Sequence, residues 1–125
     1  MAVSERADYS EIVERLLDLG LCDDPAFEAE ILGDFLCDAE LVVAALGAAI
    51  RQKDTTECER LAHRLRGASQ NLGAAALAKP ALELEQAGRE KDLTNAPPAQ
   101  ERLVAEFESL REFLRRRIRS IQKSS

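Results

Sequence analysis

The residue in this chain with the clearest potential for chemistry is His63, the only histidine among 125 residues. It lies in the segment LAHRLRG, residues 61–67, whose composition favours a helix. A neutral imidazole is a good nucleophile near neutral pH, because its unperturbed pKa is about 6.5. Since there is no second histidine, metal sites and acid–base pairs that need two imidazoles are disfavoured.

The period of the helix predicts the direction of His63. At about 100° per residue, one apolar arc of this helix should face the core. That arc consists of Leu61, Leu65, Leu72, Cys58 and Ala68. His63 falls on the opposite side, so its imidazole is expected to face solvent. Arg66 and Gly67 follow one turn later on that side, and Gln70 follows after two turns.

These neighbours suit attack on a phosphoryl group. Gly67 leaves the surface beside the imidazole clear for a bulky partner, and Arg64 and Arg66 can stabilise charge on phosphoryl oxygens. The attacking ring nitrogen must be unprotonated while the other nitrogen donates its hydrogen to an acceptor. A carboxylate on a neighbouring helix would hold the ring in that form. The alternative interpretation is an ordinary solvated helix face, on which the two arginines pair with nearby acids.

Five helices are predicted to position these residues, and the sequence shows no strand pattern and no internal repeat. We expect an all-α fold, in which four long helices form an antiparallel four-helix bundle and a short first helix is added at the N-terminus. Residues 1–125 are interpreted as one domain, with flexible ends at 1–7 and 122–125. The expected helices span residues 8–19, 24–53, 55–72, 75–91 and 98–121.

Capping residues and apolar stripes support these ranges. Asp8 and Asp54 each precede an acid by three residues, which is the spacing of a capping box, and Gly20 and Gly73 are expected at helix ends. Pro80 predicts a kink in the fourth helix or a later start. The stripes expected to face the core are Ile12, Val13, Leu16 and Leu17, then Phe27, Ile31, Phe35, Val42, Leu46, Ala49 and Ile50, then Leu77, Ala81, Leu84 and Gly88, and last Leu103, Phe107, Leu110, Leu114, Ile118 and Ile121.

Composition and charge exclude several classes of protein. The formal charge of −6 argues against non-specific binding of nucleic acid. No segment approaches the ~20 apolar residues of a membrane span, and the first ten residues do not resemble a signal peptide. The odd number of cysteines and the lack of a CxxC motif predict free thiols in a reducing cytoplasm. A cluster of cations near the end of the last helix is expected to remain in solvent, where it complements the negative end of the helix dipole. This cluster consists of Arg115, Arg116, Arg117, Arg119 and Lys123.

The segments AHRLRG at residues 62–67 and NLGA at 71–74, followed by Leu77 and then Leu84-Glu85, form a recognisable pattern. This pattern resembles the signature of histidine-containing phosphotransfer (HPt) domains, most strongly over residues 54–86. The resemblance implies a four-helix bundle. The departures from the family pattern are Ala68, where serine is frequent, and Pro80 within the fourth helix.

The same resemblance implies roles for individual residues. His63 corresponds to the phosphorylated histidine, and Arg66 stands where the family usually has lysine. Gly67 corresponds to the glycine that follows, and Glu85 to the acceptor that holds the non-reacting ring nitrogen. Gln70 is a further candidate for contact with the phosphoryl group or the partner, and Arg64 for charge stabilisation.

A carrier of phosphoryl groups in two-component signalling is the function that the resemblance implies. His63 would accept the group through Nε2 from the aspartyl phosphate of a receiver domain and pass it to an aspartate of another receiver. The expected partners are receiver domains of a hybrid histidine kinase or a response regulator, which would supply Mg²⁺. The chain is expected to need no cofactor or metal of its own, to lack an ATP site, and to act as a cytoplasmic monomer.

Two alternatives remain open at this point. In the first, a histidine kinase catalytic domain phosphorylates His63 directly from ATP. In the second, the chain is a helical adaptor in which His63 is incidental. For the carrier, we expect the docking surface to involve exposed residues of the second and third helices around His63, with small or apolar groups near Gly67 and a polar rim.

Overall fold

Five α-helices carry almost all of the residues that the structure describes. The computed structural model describes residues 9–124, and this part of the chain is all-helical, as predicted. A single 3-10 turn at Leu21–Asp23 connects the first two helices. The helices are α1 (Ser10–Asp18), α2 (Pro25–Arg51), α3 (Thr55–Leu72), α4 (Ala75–Arg89) and α5 (Ala96–Ser124).

The ends of α3 are fixed by the residues expected there. The Asp54 carboxylate accepts the backbone N–H of Glu57 at 3.1 Å, which satisfies one of the donors that the first turn leaves free. Gly73 ends the helix with a left-handed φ of 92°, which glycine adopts without the steric cost of a Cβ. The register of α3, and with it the direction of His63, is therefore set from both ends.

The other helices differ from the predicted ranges at their ends. α2 and α4 each stop two residues early, because Lys53 and Lys91 adopt left-handed φ values of 56° and 58°. α5 begins at Ala96 and continues through residues 122–124, beyond its predicted end. α4 begins at Ala75, which confirms its predicted start, and Pro80 lies inside it, so the alternative of a later start is wrong. The expected Asp8 cap and residues 1–7 lie outside the described residues.

The four long helices pack as a ring of neighbours. α3 packs against α2 and α4, and α5 packs against the same two helices from the other side. A Cβ atom at Gly88 would lie 2.6 Å from the backbone nitrogen of Glu59 and 2.7 Å from the carbonyl oxygen of Thr55. Only glycine allows so close an approach of α4 to α3, and this contact brings α4 alongside the face that carries His63.

The predicted apolar stripes of α4 and α5 form much of the core. Within α5 the burial fades towards the end, since Ile118 and Ile121 are only partly covered. In α1, Leu17 is 59% exposed, so its predicted place in the core is wrong. No helix within residues 9–124 is long and apolar enough to cross a membrane. In α4 and α5, the predicted stripe residues that are buried are Leu77, Ala81, Leu84, Gly88, Leu103, Phe107, Leu110 and Leu114.

The first half of α2 is rotated relative to the prediction. Phe27 and Ile31 are 46% and 37% exposed, whereas Leu32 and Leu36 are buried. The buried stripe begins one residue later than expected and includes Glu28, which is 2% exposed. The predicted core positions of Phe27 and Ile31 are therefore wrong, and an apolar stripe remains on the surface of α2.

Arg117 explains why an acid can lie in that buried stripe. Its guanidinium donates to both carboxylate oxygens of Glu28, with a 3.4 Å distance to Oε1, and it also contacts the Cys22 thiol at 3.6 Å. A buried charge is tolerated when it is paired and hydrogen-bonded in this way. The expectation that Arg117 remains in solvent with the other cations of α5 is therefore wrong.

Candidate functional site

The imidazole of His63 faces solvent, as the helical period predicts. Its side chain is 65% exposed, while Leu61 and Leu65 on the opposite face of α3 are buried. A Cβ atom added at Gly67 would meet nothing within 4 Å. The surface one turn beyond the imidazole is therefore open to a partner.

A buried carboxylate on α4 holds one nitrogen of the His63 ring. Glu85 is 2% exposed, and its Oε2 lies 2.8 Å from His63 Nδ1. A carboxylate only accepts hydrogen bonds, so this contact favours the tautomer in which Nδ1 carries the hydrogen. Nε2 then has a free lone pair directed away from Glu85. The structure thus brings together the two residues that the family resemblance paired.

Arg66 binds both of these residues at once. Its Nε donates to Glu85 Oε1 at 2.5 Å, and its Nη2 lies 3.1 Å from His63 Nδ1. Its Nη1 donates to Gln70 Oε1 at 3.2 Å. Arg66, Gln70 and Glu85 therefore form one connected group, which places a positive charge beside Nδ1 of the imidazole.

The same arginine keeps Glu85 ionised. The Arg66 guanidinium lowers the pKa of the Glu85 carboxyl below its usual range, while burial acts in the opposite direction and His63 lowers the pKa further. A carboxylate that remains charged is a stronger acceptor for the Nδ1 hydrogen than a protonated acid.

The sequence did not indicate the second arginine on Glu85. Arg89 Nη2 donates to Glu85 Oε2 at 2.9 Å, and Arg89 Nε donates to Glu59 Oε2 at 3.3 Å. Arg89 follows Glu85 by four residues on α4, a spacing at which opposite charges on a helix meet. That spacing was the available signal, although the link to Glu59 depends on the distance between α3 and α4.

Two other residues near His63 in sequence belong to different contacts. Arg64 pairs with Asp38 of α2 rather than with the ring or Glu85. Cys58 is fully buried, and its thiol donates to the carbonyl oxygen of Leu84 at 3.5 Å. Burial, together with the charge of Asp54, raises the pKa of this thiol, so Cys58 is neither exposed nor activated as a nucleophile.

Among the described residues, no group of three or more histidine, cysteine or acidic side chains is arranged to hold a metal ion. The site instead consists of an exposed imidazole, a buried carboxylate and two arginines. This arrangement can present a nucleophilic nitrogen beside positive charge. It suits an acceptor of phosphoryl groups.

Comparison with known proteins agrees with this geometry. A family profile described as Hpt domain matches residues 30–113, which is more than half of the chain. The protein belongs to the Hpt domain family. Domains of this family carry phosphoryl groups on histidine in two-component signalling, and they are carriers rather than enzymes with an ATP site of their own.

A solved structure of one family member is similar over most of its length. It is the crystal structure of histidine-containing phosphotransfer protein B (HptB) from Pseudomonas aeruginosa PAO1, with 27% sequence identity and a TM-score of 0.77. The alignment covers 91% of this chain and 95% of that one. No curated protein sequence matches the chain.

Proposed function

We propose that His63 is the phosphorylated residue of a phosphorelay, and that it exchanges a phosphoryl group with aspartates of receiver domains. The observation that carries this proposal is the 2.8 Å contact between Nδ1 and the buried Glu85 carboxylate. This contact favours the ring form in which Nε2, the nitrogen that faces solvent, has the free lone pair.

In the proposed transfer, the Nε2 lone pair forms a bond to phosphorus while the bond between phosphorus and the aspartyl oxygen breaks. The aspartate leaves as a carboxylate. The ring keeps its Nδ1 hydrogen and becomes a phosphorylated imidazolium, whose positive charge lies against ionised Glu85. Passing the group to a second receiver reverses these bond changes, so no net proton is gained or lost by the carrier.

The neighbouring residues have separate proposed roles. Arg66 stabilises charge on the phosphoryl oxygens, Glu85 holds the tautomer, and Gly67 leaves room for the receiver. Gln70 orients Arg66 through their hydrogen bond. Mg²⁺ belongs to the acidic pocket of the receiver.

For docking, we propose a surface made of the outward face of α3 and the exposed stripe of α2. Phe27 and Ile31 share one face of α2 with Asp38, which pairs with Arg64 next to His63. An apolar patch with charged residues at its edge is typical of transient interfaces. The receiver would cover the imidazole and the α2 stripe together.

The overall arrangement proposed for the site is an antiparallel four-helix bundle with α1 at one end. The pairing of Glu59 with Arg89, and of His63 with Glu85, supports opposite directions for α3 and α4.

We also propose a cytoplasmic monomer. The support for this compartment is three free cysteines, which are typical of a reducing environment.

Phosphotransfer from a panel of phosphorylated receiver domains tests the proposal. We expect the wild-type chain to gain an acid-labile, alkali-stable label, and His63→Gln to gain none. Label that persists in His63→Gln would remove His63 from the reaction. Labelling by a kinase catalytic core and ATP, but by no receiver, would favour direct phosphorylation, and labelling by neither would favour an adaptor.

The same transfer assay tests the docking surface when it is carried out with surface variants. Ile31→Asp should slow transfer from receivers without unfolding the chain. Leu17→Asp, at an exposed apolar residue of α1, is the matched control and should transfer at the wild-type rate. Equal rates for the two variants would exclude the α2 stripe from the docking surface.

A further inference from the structure

Nδ1 of His63 faces two partners that make opposite demands. Glu85 Oε2, at 2.8 Å, only accepts hydrogen bonds, so it requires a hydrogen on Nδ1. Arg66 Nη2, at 3.1 Å, only donates, so it requires a lone pair on Nδ1. One nitrogen of a neutral ring cannot satisfy both partners at the same time.

The choice between these partners decides whether Nε2 can react. When Glu85 binds Nδ1–H, Nε2 has the lone pair and is a nucleophile. When Arg66 donates to Nδ1, the ring hydrogen is on Nε2, and that nitrogen has no lone pair available for attack. The two forms differ only in the position of one hydrogen, which solvent can carry between the ring nitrogens without a change in net charge.

We propose that Arg66 is a positioning residue that holds part of the resting His63 population in the unreactive tautomer. Arrival of a phosphoryl group draws the Nη2 of Arg66 away from Nδ1 and onto the phosphoryl oxygens. Glu85 then becomes the sole partner of Nδ1, and the reactive form dominates when the substrate is present. This proposal rests on the proposed function, because it takes Nε2 as the nitrogen that accepts the phosphoryl group.

The shape of arginine makes this competition possible. The three nitrogens of the guanidinium contact three different groups, with Nε on Glu85 at 2.5 Å, Nη1 on Gln70 at 3.2 Å and Nη2 on His63 at 3.1 Å. The ammonium of a lysine is a single nitrogen on a flexible stem. It can stay on the Glu85 carboxylate, but it does not reproduce the fork that reaches Nδ1 from the same anchor.

Nitrogen NMR of the imidazole in isotope-labelled, unphosphorylated protein tests the proposal. The measurement is made in alkaline solution, where the ring is neutral, because the shifts of Nδ1 and Nε2 then report the tautomer ratio. Arg66→Ala and Arg66→Lys should each raise the ratio of the Nδ1–H form to the Nε2–H form by about two- to tenfold, the range expected for one net hydrogen bond. Glu85→Ala should move the ratio in the opposite direction.

Arg64→Ala is the matched control, since Arg64 is a cation adjacent to His63 that pairs with Asp38 instead of the ring. Its tautomer ratio should equal that of the wild type. An unchanged or reversed ratio in both Arg66 variants overturns the proposal, and so does an equal shift in Arg64→Ala, because loss of charge alone would then explain it. If Arg66→Ala does not fold, Arg66→Lys still decides the outcome.

Labelling of His63 by receivers is a separate measurement, so the two failures can be told apart. Wild-type labelling with an unchanged tautomer ratio overturns only the role of Arg66 in the resting state. A shifted ratio with no labelling by any receiver overturns the proposed function. The competition between Arg66 and Glu85 for Nδ1 of His63 would then still be supported.

Discussion

At the residue scale, the site depends on a carboxylate held inside the protein. Glu85 is 2% exposed, and it accepts hydrogen bonds from Arg66 and Arg89 as well as facing His63. Burying one charge is costly unless it is paired and its lone pairs are used. The two arginines meet that requirement. Glu85 can therefore remain ionised in its buried position, where its contact with Nδ1 orients the His63 ring.

Acid titration tests this account of Glu85. The pKa of Glu85 is lower in the folded chain than its ordinary value, so its ionised form stabilises the fold above the unfolded pKa of about 4.3. That contribution is lost as the pH falls through the lowered value. Wild-type protein should therefore lose unfolding free energy more steeply than Glu85→Gln between about pH 5 and about pH 3.

Denaturant unfolding across this pH range measures the two slopes. Glu83→Gln is the matched control, because Glu83 lies on the same helix in an ion pair with Arg102 that is substantially exposed. Its slope should remain close to that of the wild type. Parallel curves for wild type and Glu85→Gln would show that Glu85 has the same pKa in the folded and unfolded chain.

At the element scale, the distance between α3 and α4 decides whether Glu85 reaches His63. Gly88, one turn beyond Glu85, sets that distance, since its backbone lies against backbone atoms of Thr55 and Glu59. Backbone atoms cannot rotate away as a side chain can. A side chain at residue 88 must therefore push the two helices apart.

Two glycine substitutions test this contact. Gly88→Ala should lower the free energy of unfolding by about 1–3 kcal/mol, the usual cost of overpacking. It should also weaken the contact between His63 and Glu85. Gly67→Ala is the matched control, because its Cβ meets nothing within 4 Å, and better helix propensity should raise stability by up to about 1 kcal/mol. Thermal unfolding of both variants measures the difference, and equal effects would contradict the close approach.

The helices also show what a sequence can and cannot predict. The face of α3 was predictable, because an acid cap and a glycine end fix its register and one apolar arc is unmistakable. In α2, two adjacent stripes compete, one with Phe27 and Ile31 and the other with Glu28 and Leu32. From the sequence alone, the acid Glu28 makes the second stripe look exposed. Its burial can be explained only by its partner Arg117, which is distant in the sequence.

The site divides in the same way. The exposed imidazole and its neighbours on α3 follow from local periodicity, and the pairing with Glu85 followed from the family resemblance. Two other contacts could not be predicted in this way: the one between Arg66 and His63 Nδ1, and the one between Arg89 and Glu59. Both are side-chain contacts at distances of about 3 Å, and they form only because the helices pack at the right spacing. No residue spacing along the chain specifies such distances.

At the scale of the whole molecule, the start of α2 is attached to the end of α5. Glu28 and Arg117 form this link across 89 positions in the sequence. At the opposite end of the same helix pair, a Cβ atom at Gly47 would lie 2.8 Å from the Gln100 amide nitrogen. The Gln100 amide is the end of a flexible side chain and can move aside, whereas the Glu28–Arg117 pair attaches the start of α2, and with it the α2 stripe proposed for docking, to α5.

Removal of one partner of the ion pair should therefore destabilise the entire bundle. Arg117→Ala leaves the Glu28 carboxylate buried without its cation, and the free energy of unfolding should fall by about 3 kcal/mol. Arg116→Ala, at an exposed pair with Glu112, should cost less than about 1 kcal/mol. Replacing both Glu28 and Arg117 by methionine should recover most of the lost stability, since apolar residues of similar volume can substitute for a buried pair. A double variant as unstable as Arg117→Ala, measured by denaturant unfolding, would show that the ion pair itself holds the two helices together and that apolar packing does not replace it.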